Sequence, residues 1–561
     1  MFRCAGPWAL IFAIAMGGCA SNEGNPATAP MGATGGGSTG GGATAGQPTG
    51  GTGAGDVGPL GLDAGGMDAA ADEGASTTDG GGADGGTSGD GDTGDDAGSD
   101  MGSDPNLDPY DTAVLLDYTR LVDESHTSDG SDHINFAGSL GARSLVHAGH
   151  QYVVYYTARD QISQGTRYAQ VRVARRNVET FSDWSHASVP GYQLTSEDVH
   201  NRQAIAVSEG DGVLHIAFDH HNNRELRYAR TPIGAVDNPE STVWDDDLLT
   251  YVPNLDLPRL QGQSTTGPSF NAFQGGNLIL YMRNGHANGG EMFVARYSAS
   301  QSEWTDTRLV SSRTGVYETG SAERGPYTAQ GMQVDEDGGL HVAWLFREES
   351  DCNNGGSGGA DCNHGVYYAY SGDEGVTWRG NDGSVVANTD EQERISISNI
   401  GSPVVDVPHA LRPSNVSNAS TFDDVAGEMH VLLRHQTAPD EEMASHHYIR
   451  GVDGVWRGGP SNFNAPNAEL VFQGDKLFAL IGRTDAELYF ARRDEDFETW
   501  YPIELPSLPG PASDIDGGYT TWDASLLSQG QLIAVWHQPP SSLGAPTPID
   551  VYSFEVGSPS Q

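Results

Sequence analysis

The chain has 561 residues, of which 76 are acidic and 29 basic, and its formal net charge at pH 7 is −47. This charge argues against nucleic acid as a partner, because phosphate backbones are bound through Lys and Arg, and against docking on anionic lipid by charge alone. Lys476 is the only lysine. Any local site for a carboxylate or sulfate would therefore be built from arginine guanidinium groups.

Residues 1–18 are predicted to be a secretory signal peptide. Arg3 precedes an apolar stretch that is too short to cross the roughly 30 Å hydrocarbon core as a permanent helix. Two small residues before Cys19 resemble the lipobox of bacterial lipoproteins, which implies that Cys19 carries a lipid anchor. Ser21 behind it indicates the bacterial outer membrane, facing either the periplasm or the outside. Cleavage by the ordinary signal peptidase, with Cys19 incidental, is the alternative.

Residues 19–108 are predicted to be a disordered tether. The segment is rich in Gly, Ala, Asp, Ser and Thr and contains no Lys or Arg, so it cannot bury enough apolar surface to offset its ordering entropy. A flexible coil of this length spans on the order of 50 Å. The segment is therefore expected to hold the folded part, residues 109–561, away from the membrane.

Residues 109–561 predict an all-β fold. A unit recurs in which an apolar strand, a Gly/Asp turn and a second strand such as "LHIAF" are followed by a strand rich in Tyr and Arg. It occurs at residues 143–159, 201–221, 268–284, 329–348, 417–436, 467–483 and 523–538. Seven such units predict a seven-bladed β-propeller with four strands in each blade. The early strand "AVLLDY", residues 113–118, is expected to close the ring by pairing in the last blade.

Polar residues cluster in the second and third units, at the predicted strand ends except for one histidine, His215, which lies within a strand. These are His200, Asn201, His215, His220, His221 and Arg283. Loops of a propeller converge over the central channel, so these residues form the candidate site, although a strand-end histidine is often a structural group. Alternation places His215 and His221 on the same side unless the strand bends after Phe218.

The motifs in these units resemble a known family. "SGDEGVTW", Ser371–Trp378, is similar to the Asp-box of sialidase-like propellers, in which the Asp caps a hairpin turn. The "HN" at His200, the "NN" after His221, "LRYAR", the "YMRNG" around Arg283 and "LHVAWLFRE" are similar to the BNR-repeat family. That family includes the ulvan lyases of polysaccharide lyase families twenty-four and twenty-five, which cleave uronate-containing polysaccharide by β-elimination.

The resemblance implies a role for each residue. Arg283 would neutralise the uronate carboxylate, and His200 and His221 would serve as base and acid. Asn201, Tyr327 and Arg347 would contact substrate, with the alternative that Tyr327 and Arg347 are ordinary exposed blade residues. No cofactor is required for this chemistry, and the expected partner is an acidic polysaccharide bound by a monomer.

One departure from the family leaves the activity open. Gly267 stands where the family has its catalytic tyrosine. Either the histidines carry all the proton transfer, or another tyrosine such as Tyr251 or Tyr327 replaces it, or the protein binds glycan without cutting it. A sialidase-type hydrolase is a further alternative, but only one Asp-box and no Arg-Ile-Pro signature are present.

Cys352, Cys362 and His364 lie in a Gly-rich insertion of the fourth unit. In an oxidising compartment the two cysteines predict a disulfide. Some relatives hold a structural zinc in such a loop, and Cys and His are suitable zinc ligands. Both interpretations stay open at this point.

Overall fold

The computed structural model describes residues 110–126, 142–159, 161–163, 166–196, 198, 201–257, 260–286, 289–317, 320–327, 332–347, 363–413, 420–439, 441–464, 468–484, 486–509, 518–542 and 545–557. The regular structure in these ranges is β-strand, with single 3-10 turns at Pro253–Asp256, Gln274–Gly276, Thr389–Glu391, His409–Leu411, Arg493–Glu495 and Leu527–Gln529. None of these helical turns is long and apolar enough to cross a membrane. The predicted all-β class is confirmed. The predicted signal peptide, tether and Cys19 lie outside the described residues.

The strands follow one another along the chain in antiparallel sheets. After β1 (Val114–Ser125), the first sheet contains β2 (Ser144–His147), β3 (His150–Tyr156), β6 (Val171–Asn177) and β7 (Ser185–Ser188), and β4 (Gln161–Ser163) pairs with β5 (Thr166–Tyr168). The next sheet, of eight strands, contains β8 (Arg202–Ser208), β9 (Val213–Asn223), β10 (Tyr228–Arg230), β11 (Thr250–Tyr251), β12 (Thr265–Phe273), β13 (Asn277–His286), β14 (Gly289–Ser298) and β15 (Glu303–Leu309).

The later sheets repeat this pattern. β16 (Gly315–Tyr317) pairs with β17 (Gly320–Ala322), and a six-stranded sheet contains β18 (Pro326–Tyr327), β19 (Met332–Val334), β20 (Leu340–Arg347), β21 (Asn363–Ser371), β22 (Thr377–Gly380) and β23 (Val385–Asn388). A four-stranded sheet contains β24 (Ser420–Asp423), β25 (Glu428–Gln436), β26 (Met443–Arg450) and β27 (Trp456–Pro460). Another contains β28 (Ala468–Gln473), β29 (Lys476–Ile481), β31 (Glu487–Arg492) and β32 (Trp500–Ile503). The last contains β30 (Arg483–Thr484), β33 (Gly518–Asp523), β34 (Gln531–His537), β35 (Thr547–Glu555) and β1.

The second strand of each unit is mostly apolar because both of its faces are covered. β20, "LHVAWLFR", is buried at every position, and the core clusters form between neighbouring sheets. One cluster joins Val153 and Tyr155 of the first sheet to Ile533 and Val535 of the last. Strands covered on both faces lose the alternation of half-exposed strands, which is why the sequence shows continuous apolar runs here.

The inner strands contact one another in a closed circle. β2 contacts β8, β8 contacts β12, β12 contacts β19, β19 contacts β24 and β24 contacts β28. β29 contacts β33, and β33 contacts β2 again. Radial repetition of antiparallel sheets is the architecture of β-propellers, so the fold is β-propeller-like.

The N-terminal strand completes the last sheet. β1 pairs antiparallel with β35, from Val114 opposite Glu555 to Ser125 opposite Thr547, so the predicted pairing of "AVLLDY" in the last sheet is confirmed. The Arg120 Nε donates to the Asp550 Oδ1 at 2.9 Å across this pair. The first and last strands of the described residues therefore lie in one sheet.

The segment Ser371–Trp378 forms the turn between β21 and β22. The Asp373 Oδ1 accepts hydrogen bonds from the Ser371 hydroxyl at 2.8 Å and from the Thr377 backbone N–H at 2.7 Å. Trp378 is fully buried, and its indole N–H donates to the Gly375 carbonyl at 3.0 Å. These bonds stabilise a hairpin, and the segment has a structural role.

Candidate functional site

Strand register brings His221 and Arg283 to the same place. His221 of β9 pairs with Thr266 of β12, and Thr266 pairs in turn with Arg283 of β13. Directly paired residues point to the same face of a sheet, and neighbouring strands lie about 4.8 Å apart, so the two Cα atoms are separated by roughly 10 Å. Two of the three predicted catalytic residues therefore share one face at the strand ends. The third, His200, lies outside the described residues.

A bend in β9 decides which histidines belong to this site. Asp219 has a left-handed backbone (φ 56°), and β8 and β9 lose their regular register there, so the bend considered after Phe218 is present. His215, before the bend, is fully buried and contacts the Ser208 hydroxyl at 2.9 Å. His215 is therefore a structural group, whereas His221 is half-buried at the strand end.

His221 is oriented by a carboxylate that the sequence did not single out. Its Nδ1 lies 2.5 Å from the Asp198 Oδ2, and the side chains of His221 and Asp198 are 29% and 35% exposed. A carboxylate at Nδ1 holds the proton on that nitrogen and leaves Nε2 as the acceptor. Asp198 lies in the loop before β8, and its position in "TSEDVHN" gave no signal of this contact.

Buried polar groups stabilise the bend in β9 that precedes His221. The Tyr192 hydroxyl donates to the Asp219 Oδ2, and the same oxygen pairs with Arg227. Burial raises the pKa of Asp219 to about 6, although Arg227 opposes the shift. His220 is fully buried between the Thr265 hydroxyl at 3.0 Å and the Arg227 carbonyl at 3.1 Å, and burial lowers its pKa to about 3. These groups fix the bend.

Arg283 is largely covered. Its side chain is 6% exposed, and its Nη2 donates to the Arg324 carbonyl at 3.0 Å. A methyl group at Gly290 would lie 2.0 Å from the Arg283 Nε, so the guanidinium packs directly on that glycine. Only part of the Arg283 guanidinium group is therefore accessible to a ligand.

An open cleft of about 410 Å³ adjoins the strand ends that carry His221 and Arg283, although neither side chain is among its lining residues. Its lining residues are Arg224, Ser264, Asn284, Gly285, Gly289, Glu291 and Arg313. Arg224 and Arg313 are exposed, while the Glu291 Oε1 lies 3.5 Å from the Arg394 Nη1. The cleft is therefore locally cationic in a strongly acidic protein, and it supplies the guanidinium groups that an anionic ligand needs. Arg224 follows "HHNN" directly, whereas nothing in the sequence marks Arg313.

The predicted substrate contacts are placed differently. Asn201 is 2% exposed, and its carbonyl accepts from the Tyr156 hydroxyl at 3.1 Å. For Arg347 the alternative prediction was an ordinary exposed blade residue, but its side chain is only 1% exposed. Its Nε donates to the Asn363 Oδ1 at 2.8 Å. The Tyr327 backbone pairs in β18, but its side chain lies outside the described residues.

Gly267 has a backbone reason for being glycine. It lies in the left-handed region (φ 57°), in the irregular part of β12 between Thr266 and Ser269, where a side chain would be strained. Tyr251, one candidate replacement for the family tyrosine, is half-buried against Phe218, and burial raises its pKa to about 12.

The candidate zinc or disulfide loop is only partly described. Cys352 and Cys362 lie outside the described residues, so the choice between zinc and disulfide stays a prediction. His364 stacks on Tyr317 with ring centroids 5.3 Å apart. This contact places the imidazole at the start of β21.

The closed circle of sheets and the polar cleft at the strand ends define a β-propeller-like protein with a candidate ligand site beside its second and third units. The family model described as "BNR repeat-containing family member" matches residues 150–461. This match covers more than half of the chain, so the chain belongs to the BNR repeat-containing family.

Relatives and solved structures agree with this assignment. The chain is 29% identical over 213 residues to "Ulvan lyase, long isoform" of Alteromonas sp. (strain LOR), covering 33% of this chain and 20% of that protein. The identity is 28% over 219 residues, with the same coverage, to the protein of that name from Pseudoalteromonas sp. (strain PLSV). The chain thus spans about a fifth of the length of the curated relatives it matches.

Two solved structures share the fold. Polysaccharide lyase Uly1 has a TM-score of 0.54 at 16% identity, covering 79% of this chain and 99% of that one. A PL25 ulvan lyase bound to -[GlcA(1-4)Rha3S]- has a TM-score of 0.53 at 12% identity, covering 78% of this chain and 96% of that one.

Proposed function

We propose that this protein is a polysaccharide lyase that cleaves an acidic, uronate-containing polysaccharide by β-elimination. The observation that carries the proposal is the register of β9, β12 and β13, which places His221 and Arg283 on one face beside a cationic cleft. The ulvan lyase names of the matched relatives, and the glucuronate-containing ligand of one solved neighbour, support the same substrate class.

The chemistry follows from these groups. Arg283, with the exposed Arg224 and Arg313, neutralises the uronate carboxylate and makes the C5 proton acidic. The His221 Nε2 accepts this proton, because Asp198 holds the other nitrogen in the protonated form. The electron pair then forms the C4–C5 double bond as the C4–O bond breaks. The departing oxygen takes a proton from an acid, for which His200 is the predicted donor.

The test is ultraviolet absorbance of the unsaturated uronyl product after mixing the protein with ulvan and other uronate polysaccharides. Wild type should produce it, and His221→Ala and Arg283→Ala should not. His147→Ala is the matched control, because it also removes a histidine paired with a carboxylate, Asp237 at 2.8 Å, but one in a different sheet. Unchanged activity in His221→Ala and Arg283→Ala would refute the assignment.

Asp198 is proposed as a positioning residue. Asp198→Asn should lower kcat more than it raises KM, because the substrate contacts remain while the tautomer of His221 is no longer fixed. Asp198→Glu, which keeps a carboxylate, should restore part of kcat. An unchanged ratio of kcat to KM in Asp198→Asn would mean that Asp198 serves only the fold.

A glycan-binding protein without lyase activity is the second candidate, and Gly267 is the observation that favours it. Gly267 supplies no hydroxyl at the position of the family tyrosine, and among the described residues the hydroxyl of Tyr192 donates to Asp219. In this case the protein would be retained on immobilised ulvan and would yield no unsaturated product. Retention that depends on Arg224 and Arg313 would locate the binding to the cleft.

The architecture is proposed to be a seven-bladed propeller. The support is that each four-stranded antiparallel unit corresponds to one of the seven sequence repeats. For the N-terminus we propose a signal peptide over residues 1–18, a lipid on Cys19 and a tether over residues 19–108, with placement at the bacterial outer membrane. Metabolic labelling with a fatty acid, lost in Cys19→Ser, tests the anchor.

A further inference from the structure

A histidine recurs near the start of the second strand in three sheets, as His215, His341 and His430. In the first two, both ring nitrogens have partners. The His341 Nδ1 contacts the Tyr368 hydroxyl at 2.6 Å, and its Nε2 contacts the Asp335 Oδ2 at 2.8 Å. His215 has the same kinds of partner, a tyrosine on the next strand and a polar group at the end of the first strand. These two histidines are structural bridges.

His430 departs from this pattern. Its Nδ1 faces the His447 Nε2 at 3.0 Å, because His447 replaces the tyrosine. His430 is fully buried, and among the described residues its Nε2 has no hydrogen-bond partner. The nearest carboxylate oxygen is the Glu428 Oε2 at 3.8 Å, which is too far for a hydrogen bond. A buried nitrogen in this position needs a partner.

The proton positions follow from the neighbouring hydrogen bond. His447 also has a hydrogen bond with the Phe497 backbone, where the carbonyl can only accept. His447 therefore keeps its proton on that side and accepts from the His430 Nδ1–H through its Nε2. This leaves a lone pair on the His430 Nε2, directed toward the Glu428 carboxylate. A cation between these two acceptors would satisfy both of them.

A second carboxylate completes the cluster. One ligand atom from each of Asp423, Glu428 and His430 lies within 4.8 Å of the others. We propose that these three residues bind a divalent first-row cation, Mn²⁺ or Zn²⁺, between the end of β24 and the start of β25. An imidazole with two carboxylates is a suitable donor set for these ions.

Two arginines determine how strongly the cation binds. Arg493 pairs with Asp423, and the Arg457 Nη1 lies 3.0 Å from the Glu428 Oε1. Each guanidinium balances a carboxylate in the absence of the ion. Arg457 leaves the Glu428 Oε2 turned toward His430, whereas Arg493 competes for the Asp423 Oδ2. Removing Arg493 should therefore tighten cation binding.

The site would be structural. It lies at the β24–β25 turn, whereas the candidate active site lies at the opposite ends of the corresponding strands, so the proposal does not depend on lyase activity. A cation that joins the two strands would stabilise the folded state over the unfolded chain, because the ligands converge only after folding. The unfolding temperature should rise with Mn²⁺ concentration.

The test uses the full chain after removal of metals with a chelator, with Mn²⁺ and Zn²⁺ titrated separately. Loss of the free Mn²⁺ signal in electron paramagnetic resonance measures binding, and circular dichroism measures the unfolding temperature. Wild type should bind one equivalent that His430→Gln does not. His341→Gln, which removes a histidine with two partners, is the matched control and should keep that equivalent.

Two further variants keep the outcome decisive. Glu428→Gln changes a less buried ligand, so it tests the site if His430→Gln fails to fold. Arg493→Gln should bind Mn²⁺ more tightly than wild type. The acidic tether and the Cys352–Cys362 loop are present in every variant and cancel in the comparison. The proposal is overturned if neither ion binds, or if the ligand variants bind as wild type does.

Discussion

Lowering the pH from 7 to 5 should destabilise the fold through His220. The ring is fully buried, and burial lowers its pKa to about 3 from the 6.5 of an exposed histidine. The folded state thus binds fewer protons than the unfolded chain. The stability from this group is complete above pH 6.5 and is lost progressively as the pH falls toward 3. At pH 5 the loss is about 2 kcal/mol.

Urea unfolding at both pH values measures this loss. His220→Gln keeps a polar side chain without a titrating group, so its free energy of unfolding should fall by about 2 kcal/mol less than that of wild type between pH 7 and pH 5. Other buried histidines titrate in both proteins and cancel in the difference. His409→Gln, at an exposed position, is the control and should behave as wild type. Equal losses in wild type and His220→Gln would refute the reasoning.

Two other substitutions test the candidate site and the closure of the circle of sheets. Gly290→Ala places a methyl group 2.0 Å from the Arg283 Nε. It should abolish product formation and lower the free energy of unfolding by about 1–3 kcal/mol. Gly372→Ala, with open space around it, is the control and should change neither quantity. Arg120→Gln removes the guanidinium from Asp550, which is fully buried, and thermal unfolding should show a loss of about 1–2 kcal/mol, since Arg120 is partly exposed. An unchanged unfolding temperature would mean that the β1–β35 pair does not depend on this ion pair.

The fold was predictable because its determinants are local and repeated. Apolar second strands and Gly/Asp turns recur along the chain, and each unit can be recognised without knowing its neighbours. Closure by the strand at residues 113–118 was expected, but sequence alone could not establish it, because its partner β35 lies at the far end of the fold in sequence. The joining of the second and third units into one sheet was not predictable. It depends on pairing between β9 and β12 beyond the bend at Asp219.

The site was predictable only where it coincides with strand ends. His221 and Arg283 end matching strands, so the repeat places them together. Asp198, Arg224 and Arg313 lie in loops, and loop geometry depends on contacts between distant segments that no spacing encodes. Burial was also missed for Asn201 and Arg347, because a polar residue with a buried partner has the same sequence signature as an exposed one.

The backbone conformation of Gly267 bears on the proposed proton transfer. Its left-handed conformation lies next to Thr266, the residue that pairs with both His221 and Arg283. A tyrosine at this position would have to adopt a strained backbone or change the register that brings the two residues together. The glycine is thus consistent with the observed strand arrangement. If the protein is a lyase, a group other than the side chain at position 267 must protonate the leaving oxygen, for which His200 is the predicted donor and a tyrosine such as Tyr251 or Tyr327 the alternative.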